Sequence, residues 1–250
     1  MRQFRLLAGA GAAAFLLAVI VMLPARVVLS GIGLPPGLVS HVAGTIWRGS
    51  AGRVSLGSLA FGPVSWSALP ARLLTGQLAA DFDATVPDGF AKGRVALALG
   101  NRVTLRDLTA AAPLSWLAPG VAAGGGQLTT RFEQLTIRAG RVTSAVGKLE
   151  LAGVVLPIPT TGPQLGPGTY AVTFAADNLA ADQPLTGELK DAGGPLEIAG
   201  TVTITPPRSY EVSGTAKPRP GAPPELRDAL QMLGPATPDG GHVLSLAGTF

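Results

Sequence analysis

The chain has 250 residues, of which 47% are hydrophobic and only 14% charged, against roughly 25% charged in an ordinary soluble domain. Its 34 Gly and 22 Pro are dispersed rather than tandem, which excludes a collagen-like chain, and with no Cys it has no disulfide, thiol nucleophile or cysteine metal site. The formal charge of +4 comes from basic residues that stand singly, such as Arg48, Arg53, Arg72, Arg94, Arg102 and Arg106; a nucleic-acid footprint is a concentrated patch or stripe, so no nucleic acid is expected as a partner.

The first element is "MRQFRLLAGAGAAAFLLAVIVMLPARVVL". Arg2 and Arg5 precede an uncharged run from Leu6 to Leu23, near the minimum of about 17–20 residues for crossing a bilayer as a helix. Leu6, Leu7, Phe15, Leu16, Leu17, Val19, Ile20, Val21 and Leu23 are its apolar membrane-facing candidates, and Pro24 stops it. A cleaved signal peptide has a shorter apolar region and a small-residue cleavage site, and "MLPARVV" is a poor match to one, so a retained single-pass anchor is favoured. The two Arg before the span place residues 1–5 in the cytoplasm, and the body outside it, in the periplasm of a bacterium with two membranes.

Residues 24–43 read as a connector punctuated by Gly31, Gly33 and Pro35-Pro36. From 44 to 250 the chain alternates strand and turn, an all-β domain of roughly a dozen strands. "GRVSLGSLAF" (52–61) and "VSWSAL" (64–69) come first, then "GQLAADFDATV" (76–86), with Leu78, Phe82 and Val86 on one face and Gln77, Asp81, Asp83 and Thr85 on the other. The same period recurs in 93–100, 102–108, 126–140, 140–156, 168–179, 185–204, 210–216 and 242–250. Short Gly-, Asp- and Asn-bearing junctions imply antiparallel hairpins and a meander, since parallel crossovers need a dozen or more residues; a curved open sheet, a sandwich and a closed barrel all remain compatible. "PPELRDALQML" (223–233) is the one amphipathic helix, opened by Pro, closed by Gly234, with Leu226, Leu230 and Leu233 on one face. "PLSWLAPG" (113–120) is at most one helical turn.

The residues for chemistry are absent from their motifs. His41 and His242 stand apart beside turns and read as solvated, and Asp81 and Asp83 share a polar strand face. Asp88-Gly89, Asp191-Ala192-Gly193-Gly194 and Asp239-Gly240-Gly241 read as turns. The run Gly124–Gly126 lacks the Lys-Ser/Thr ending of a phosphate loop, and there is no G-x-S-x-G elbow. No catalytic, metal or cofactor-binding residue is assigned, and an enzyme is not expected.

Several segments together are similar to one family: "LPARVV" (23–28), "GTIWRGSA" (44–51), "VSWSALPARLLTGQL" (64–78), "GPLEIAGTVTI" (194–204), "YEVSGTAKPR" (210–219), "LRDALQMLG" (226–234) and "DGGHVLSLAGTF" (239–250). Their order resembles the N subunit of the bacterial type II secretion system, the general secretion pathway protein N. The pattern residues are Gly44, Thr45, Trp47, Gly49, Trp66, Leu73, Leu74 and Gly76, with Gly248 near the C-terminus; residues 87–165 match only in style. The resemblance implies an inner-membrane, single-pass, non-catalytic accessory or assembly subunit. Its partners would be other secretion subunits and inner-membrane lipid. In that reading Trp47 anchors the first strand in the core, Gly44 and Gly49 turn the chain on either side, and Arg48 points to the opposite face. A second resemblance, to AsmA-type envelope proteins that hold lipid in an apolar trough, rests on strands apolar on both faces, such as "GRVALALG" and "AGVVLPI".

Overall fold

The computed structural model describes residues 22–31, 37–56, 59–98, 100–117, 125–154, 168–180, 183–206, 209–222, 224–231 and 235–249. Of the expected anchor, Leu6, Leu7, Phe15, Leu16, Leu17, Val19, Ile20 and Val21 lie outside these residues. Among the described helices none is long and apolar enough to cross a membrane. Leu23 is described, and its carbonyl accepts the Ile46 N–H at 3.1 Å.

The chain divides into two compact units, residues 1–85 and 86–250. In the first, helix α1 (Ala25–Gly31) lies inside what the sequence reads as a connector. The Val28 N–H donates to the carbonyl of Pro24, the residue before the helix, at 3.5 Å, and Ala25 is 1% exposed. Strands β1 (Val39–Ser40), β2 (Ala43–Gly44), β3 (Arg48–Ala51), β4 (Arg53–Leu56), β5 (Leu59–Phe61), β6 (Val64–Ala68) and β7 (Gln77–Val86) follow, with the 3-10 helix Pro70–Thr75 between the last two. The run 52–61, expected as one strand, is a hairpin of β4 and β5 in a small sheet ordered β1-β4-β5. The other strands pair in the order β2-β3-β6-β7. On β7 the expected face holds for Val86, which is buried, and for Phe82, which is half-buried, but not for Leu78, which is 51% exposed while Ala79 is buried.

The second unit is a meander. Strands β8 (Gly89–Ala98), β9 (Arg102–Pro113), β10 (Gln127–Arg138), β11 (Arg141–Val154), β12 (Gly168–Ala176), β13 (Leu185–Gly193), β14 (Leu196–Thr205), β15 (Ser209–Pro218) and β16 (His242–Thr249) each pair antiparallel with the next in sequence. The mainly antiparallel all-β reading is thus what the fold shows. The β10–β11 turn is Ala139-Gly140, with φ of 50° and 78°, the two positive dihedrals that match a two-residue hairpin to strand twist. Helix α2 (Leu114–Leu117) is the expected single turn, and α3 (Pro224–Gln231) is the expected amphipathic helix.

The core of this unit lies on one face of the sheet, beneath α3. Phe132, Tyr170, Val172, Phe174, Leu185, Leu189, Leu196 and Ile198 meet Leu226 and Leu230, the last two only 2% and 4% exposed. Burying a leucine side chain contributes about 1.5–3 kcal/mol, so these two dock the helix. Strands β12 and β13 alternate buried and exposed residues over most of their length, as a sheet covered on one face must.

A cross-strand row organises that core. Phe132 stands opposite Gly147, Gly147 opposite Phe174, and Phe174 opposite Gly187. The Phe132 and Phe174 rings stack with centroids 6.1 Å apart and planes at 27°. A Cβ on Gly147 would stand 2.6 Å from Phe132 Cδ1 and 2.5 Å from the Arg131 carbonyl oxygen; one on Gly187 would stand 2.6 Å from Phe174 Cε1. The rings occupy the space that side chains on the neighbouring strands would take.

Two outcomes follow. Gly147→Ala should destabilise the protein by about 1–3 kcal/mol through overpacking, read as an earlier unfolding midpoint in urea. Burial, with the Asp191 carboxylate adding to it, pushes the Tyr170 hydroxyl above its usual value of 10.0. The folded state then holds this proton to higher pH than the unfolded state. The stability it contributes is complete below pH 10 and is lost as pH rises through the raised value, so the fall in unfolding free energy above pH 10 should be shallower in Tyr170→Phe.

Candidate interaction surfaces

In the first unit the motif glycines and tryptophans form a corner. The β2–β3 turn is closed by Thr45, whose N–H donates to the Arg48 carbonyl at 2.9 Å, while the Arg48 N–H donates to Thr45 Oγ1 at 3.1 Å. Gly44 has φ +85°, and a Cβ there would sit 2.5 Å from the Arg48 carbonyl oxygen. Gly49 is different: it lies within β3, opposite Trp66. A Cβ on Gly49 would meet the Trp66 ring at 2.5 Å, and Trp66 Nε1 donates to the Ile46 carbonyl at 3.3 Å.

Trp66, not Trp47, therefore packs across the first strands. Trp47 is half-buried at the bend before β3, where its carbonyl accepts the Ala68 N–H at 2.7 Å. The sequence pointed to the first Trp of the pattern because only the register reveals which ring lies over Gly49. Gly248 repeats the arrangement in the second unit, opposite Tyr210, whose ring would stand 2.6–2.8 Å from an added Cβ.

The "LLTG" segment forms the 3-10 turn, capped by Gly76 at φ +70°. It holds Leu73 at 46% and Leu74 at 91% exposure.

Two further expectations change. His242 is 7% exposed at the start of β16, opposite Ala216 and on the side of the sheet where Leu244 packs against the core, so it is not a solvated turn residue. Asp191 lies in β13, with its side chain 8% exposed, accepting the Ile198 N–H at 3.2 Å and paired with Arg219. Among the described residues no three metal-ligating side chains come together.

The feature that sequence reading missed is the placement of charge on the other face of the second unit. In β13–β15 opposite charges meet. Glu197 stands across from Lys217, and Lys190 Nζ lies 2.6 Å from Glu188. In β8–β11 the register does the reverse. Arg94 stands opposite Arg106, Arg131 opposite Lys148, Arg102 opposite Arg138, and Arg138 opposite Arg141. Directly opposed residues project to the same face, and like charges so placed are unfavourable. Lys148 is partly compensated by Glu150 at 3.0 Å, and Lys92 sits 5.7 Å from the Phe90 ring centroid.

Two concavities open on this face. One, of about 540 Å³, is lined by Arg131, Glu133, Lys148, Glu150 and Thr173 among others; a second, of about 290 Å³, is lined by Arg94, Arg106, Asp107, Glu133 and Asp177. Glu133 and Val146 belong to both. The basic residues that look solitary along the chain are gathered here because the strands that carry them are neighbours.

The second unit is thus a hairpin meander with one packed face and a charge-bearing second face. The chain belongs to the family described as type II secretion system (T2SS), protein N, whose family model matches residues 38–245. It is 27% identical to the type II secretion system protein N of Aeromonas hydrophila, over 96% of this chain and 95% of that protein. It is 29% identical to the protein of the same name from Vibrio cholerae serotype O1, over 89% and 88%, and 25% identical to that of Pectobacterium carotovorum subsp. carotovorum, over 90% and 89%. No solved structure matches it. The resemblance read from the motif segments is thereby established.

The corner predicts a ranking of variants. Trp66→Ala should cost about 2 kcal/mol, less than the 3–5 kcal/mol of a fully buried ring, and more than Trp47→Ala. Thermal unfolding of both variants beside the parent checks the order, and an equal or larger loss for Trp47 would place the packing ring elsewhere.

Proposed function

We propose that this chain is a non-catalytic assembly subunit of the type II secretion system, held in the inner membrane by residues 6–23 with residues 44–250 in the periplasm. The observation that carries the reading is family membership across residues 38–245. Supporting it are surfaces suited to contact. Leu74 projects from its turn in the first unit. Strand β16 closes the strand order with Val243 and Leu246 58% and 55% exposed, and an edge strand without Pro or Lys is a template for strand addition. The partners are other subunits of the secretion system and, through the anchor, inner-membrane lipid. The lipid-trough alternative finds less support, because Arg131, Glu133, Lys148 and Glu150 stand beside Val146, Phe174 and Ala175 in the lining of the larger concavity.

Deleting the gene should leave a folded substrate of the secretion system in the periplasm and deplete it from the medium, with full-length chain in trans restoring export. Unchanged export in the deletion strain would refute the role. Extraction of membranes at alkaline pH reads the anchor: the chain should stay in the pellet, and its release to the supernatant would remove the single-pass claim.

A further inference from the structure

We propose that the Pro70–Thr75 turn of the first unit inserts Leu73 and Leu74 into the lipid surface beside the anchor, so that this unit lies against the bilayer instead of hanging on a tether. The inference rests on the reading above that residues 6–23 span the inner membrane, and adds a second, interfacial contact to it.

Backbone pairing places the turn where the chain leaves the membrane. The Leu23 carbonyl, at the end of the expected span, accepts the Ile46 N–H at 3.1 Å, and Pro24 forms a β-bridge with Thr45. One strand further on, the Ala68 N–H donates to the Trp47 carbonyl at 2.7 Å, and the Leu69 N–H donates to the Ala79 carbonyl at 2.7 Å. The turn begins at the next residue, Pro70. Leu23 and Ala68 are thus two strand spacings apart, roughly 10 Å. Residues 44–47 and 73–76, remote in the sequence, come to the same end of the β2-β3-β6-β7 sheet.

Apolar exposure is concentrated at that end. Among the described residues of the first unit, the large apolar side chains left exposed are Met22, Val27, Leu73, Leu74 and Leu78. Met22 and Val27 flank Pro24, and Leu78 opens β7 directly after the turn. A singly exposed leucine is ordinary on a protein surface. Confinement of all of them to the end that adjoins the expected span is a pattern, and it is the one a lipid contact requires.

The charge of the same stretch favours a lipid surface over a protein partner. Residues 1–80 contain no Asp or Glu, although the chain has 15 of them. Arg26 in α1, Arg48 at the start of β3 and Arg72 in the turn stand at this end. Apolar side chains among cations, with no carboxylate to repel phosphate, suit acyl chains beneath anionic headgroups. The anchor makes the contact intramolecular, so a patch too small to hold a free protein on a membrane suffices. Gly76 closes the turn by donating its N–H to the Arg72 and Leu73 carbonyls, which satisfies these groups before they approach lipid.

The chain has no Cys, so a single introduced cysteine reports one site. Full-length Leu74→Cys and Thr85→Cys, each labelled with the polarity-sensitive fluorophore NBD, are reconstituted into phosphatidylcholine vesicles with and without phosphatidylglycerol. Both positions are exposed, so both variants should melt with the parent. Thr85 lies near the far end of β7, roughly 23 Å along the strand from Leu78. The label at 74 should shift to shorter wavelength, brighten, and be quenched by nitroxides on the lipid chains. The label at 85 should stay water-like and be quenched by aqueous iodide. Arg72→Glu should weaken the response at 74 more in vesicles with phosphatidylglycerol than in those without. A label at 74 as water-exposed as that at 85 would overturn the proposal. So would a label shielded only after other secretion proteins are added, which would assign the turn to a protein partner. A chain that stays in the membrane pellet at alkaline pH with a water-exposed label at 74 refutes the insertion and leaves the anchor standing. Release at alkaline pH refutes the anchor, and this inference with it, so the two failures are distinguishable.

Discussion

The second unit depends on aromatic rings lying over glycines of the neighbouring strand. Phe132, Gly147, Phe174 and Gly187 occupy one cross-strand row, which continues into Val202 and Val212. A ring in that row needs a partner with no side chain beneath it, so the identities on adjacent strands are coupled. Slipping one strand by a residue places a side chain under a ring and turns the polar face inward. The row therefore fixes which residues face α3, and so where Leu226 and Leu230 can dock. Trp66 over Gly49 and Tyr210 over Gly248 apply the same rule in the first unit and at the last strand.

This coupling explains which parts of the fold can be read without a structure. Period-two alternation is local, so β10, β11, β12 and β16 are legible to within a few residues, whereas the run 185–204 is the two strands β13 and β14, and α3 announces itself by its Pro, its Leu spacing and its terminal Gly. Helix α1 is not legible, because "ARVVLSG" is short and rich in β-branched residues, and Pro24 and the burial of Ala25 decide its state. The hairpin of β4 and β5 hides inside an alternating run for the same reason: pairing, not periodicity, breaks it.

The site was less legible than the fold. The motif glycines signalled that the backbone matters at 44, 49, 76 and 248, but not why. Gly44 and Gly76 carry positive φ, while Gly49 and Gly248 make room for rings. Tryptophan 66 and tyrosine 210 supply those rings from strands at different sequence separations, and no spacing rule connects them. Arginines 94 and 106, or 102 and 138, are likewise remote or unremarkable in the sequence and opposed in the sheet. A patch search along the chain fails because the patch runs across strands.

One consequence concerns how stability and contact share a sheet. The core, α3 and the aromatic row all lie on a single face, so the hydrophobic contribution to folding comes from that side. The second face is released from the duty of packing and can hold charge arrangements that cost a little stability, since exposed cross-strand pairs shift it by only about 0.2–1 kcal/mol each. Strands β13–β15 use that freedom to match charges, and β8–β11 use it to oppose them.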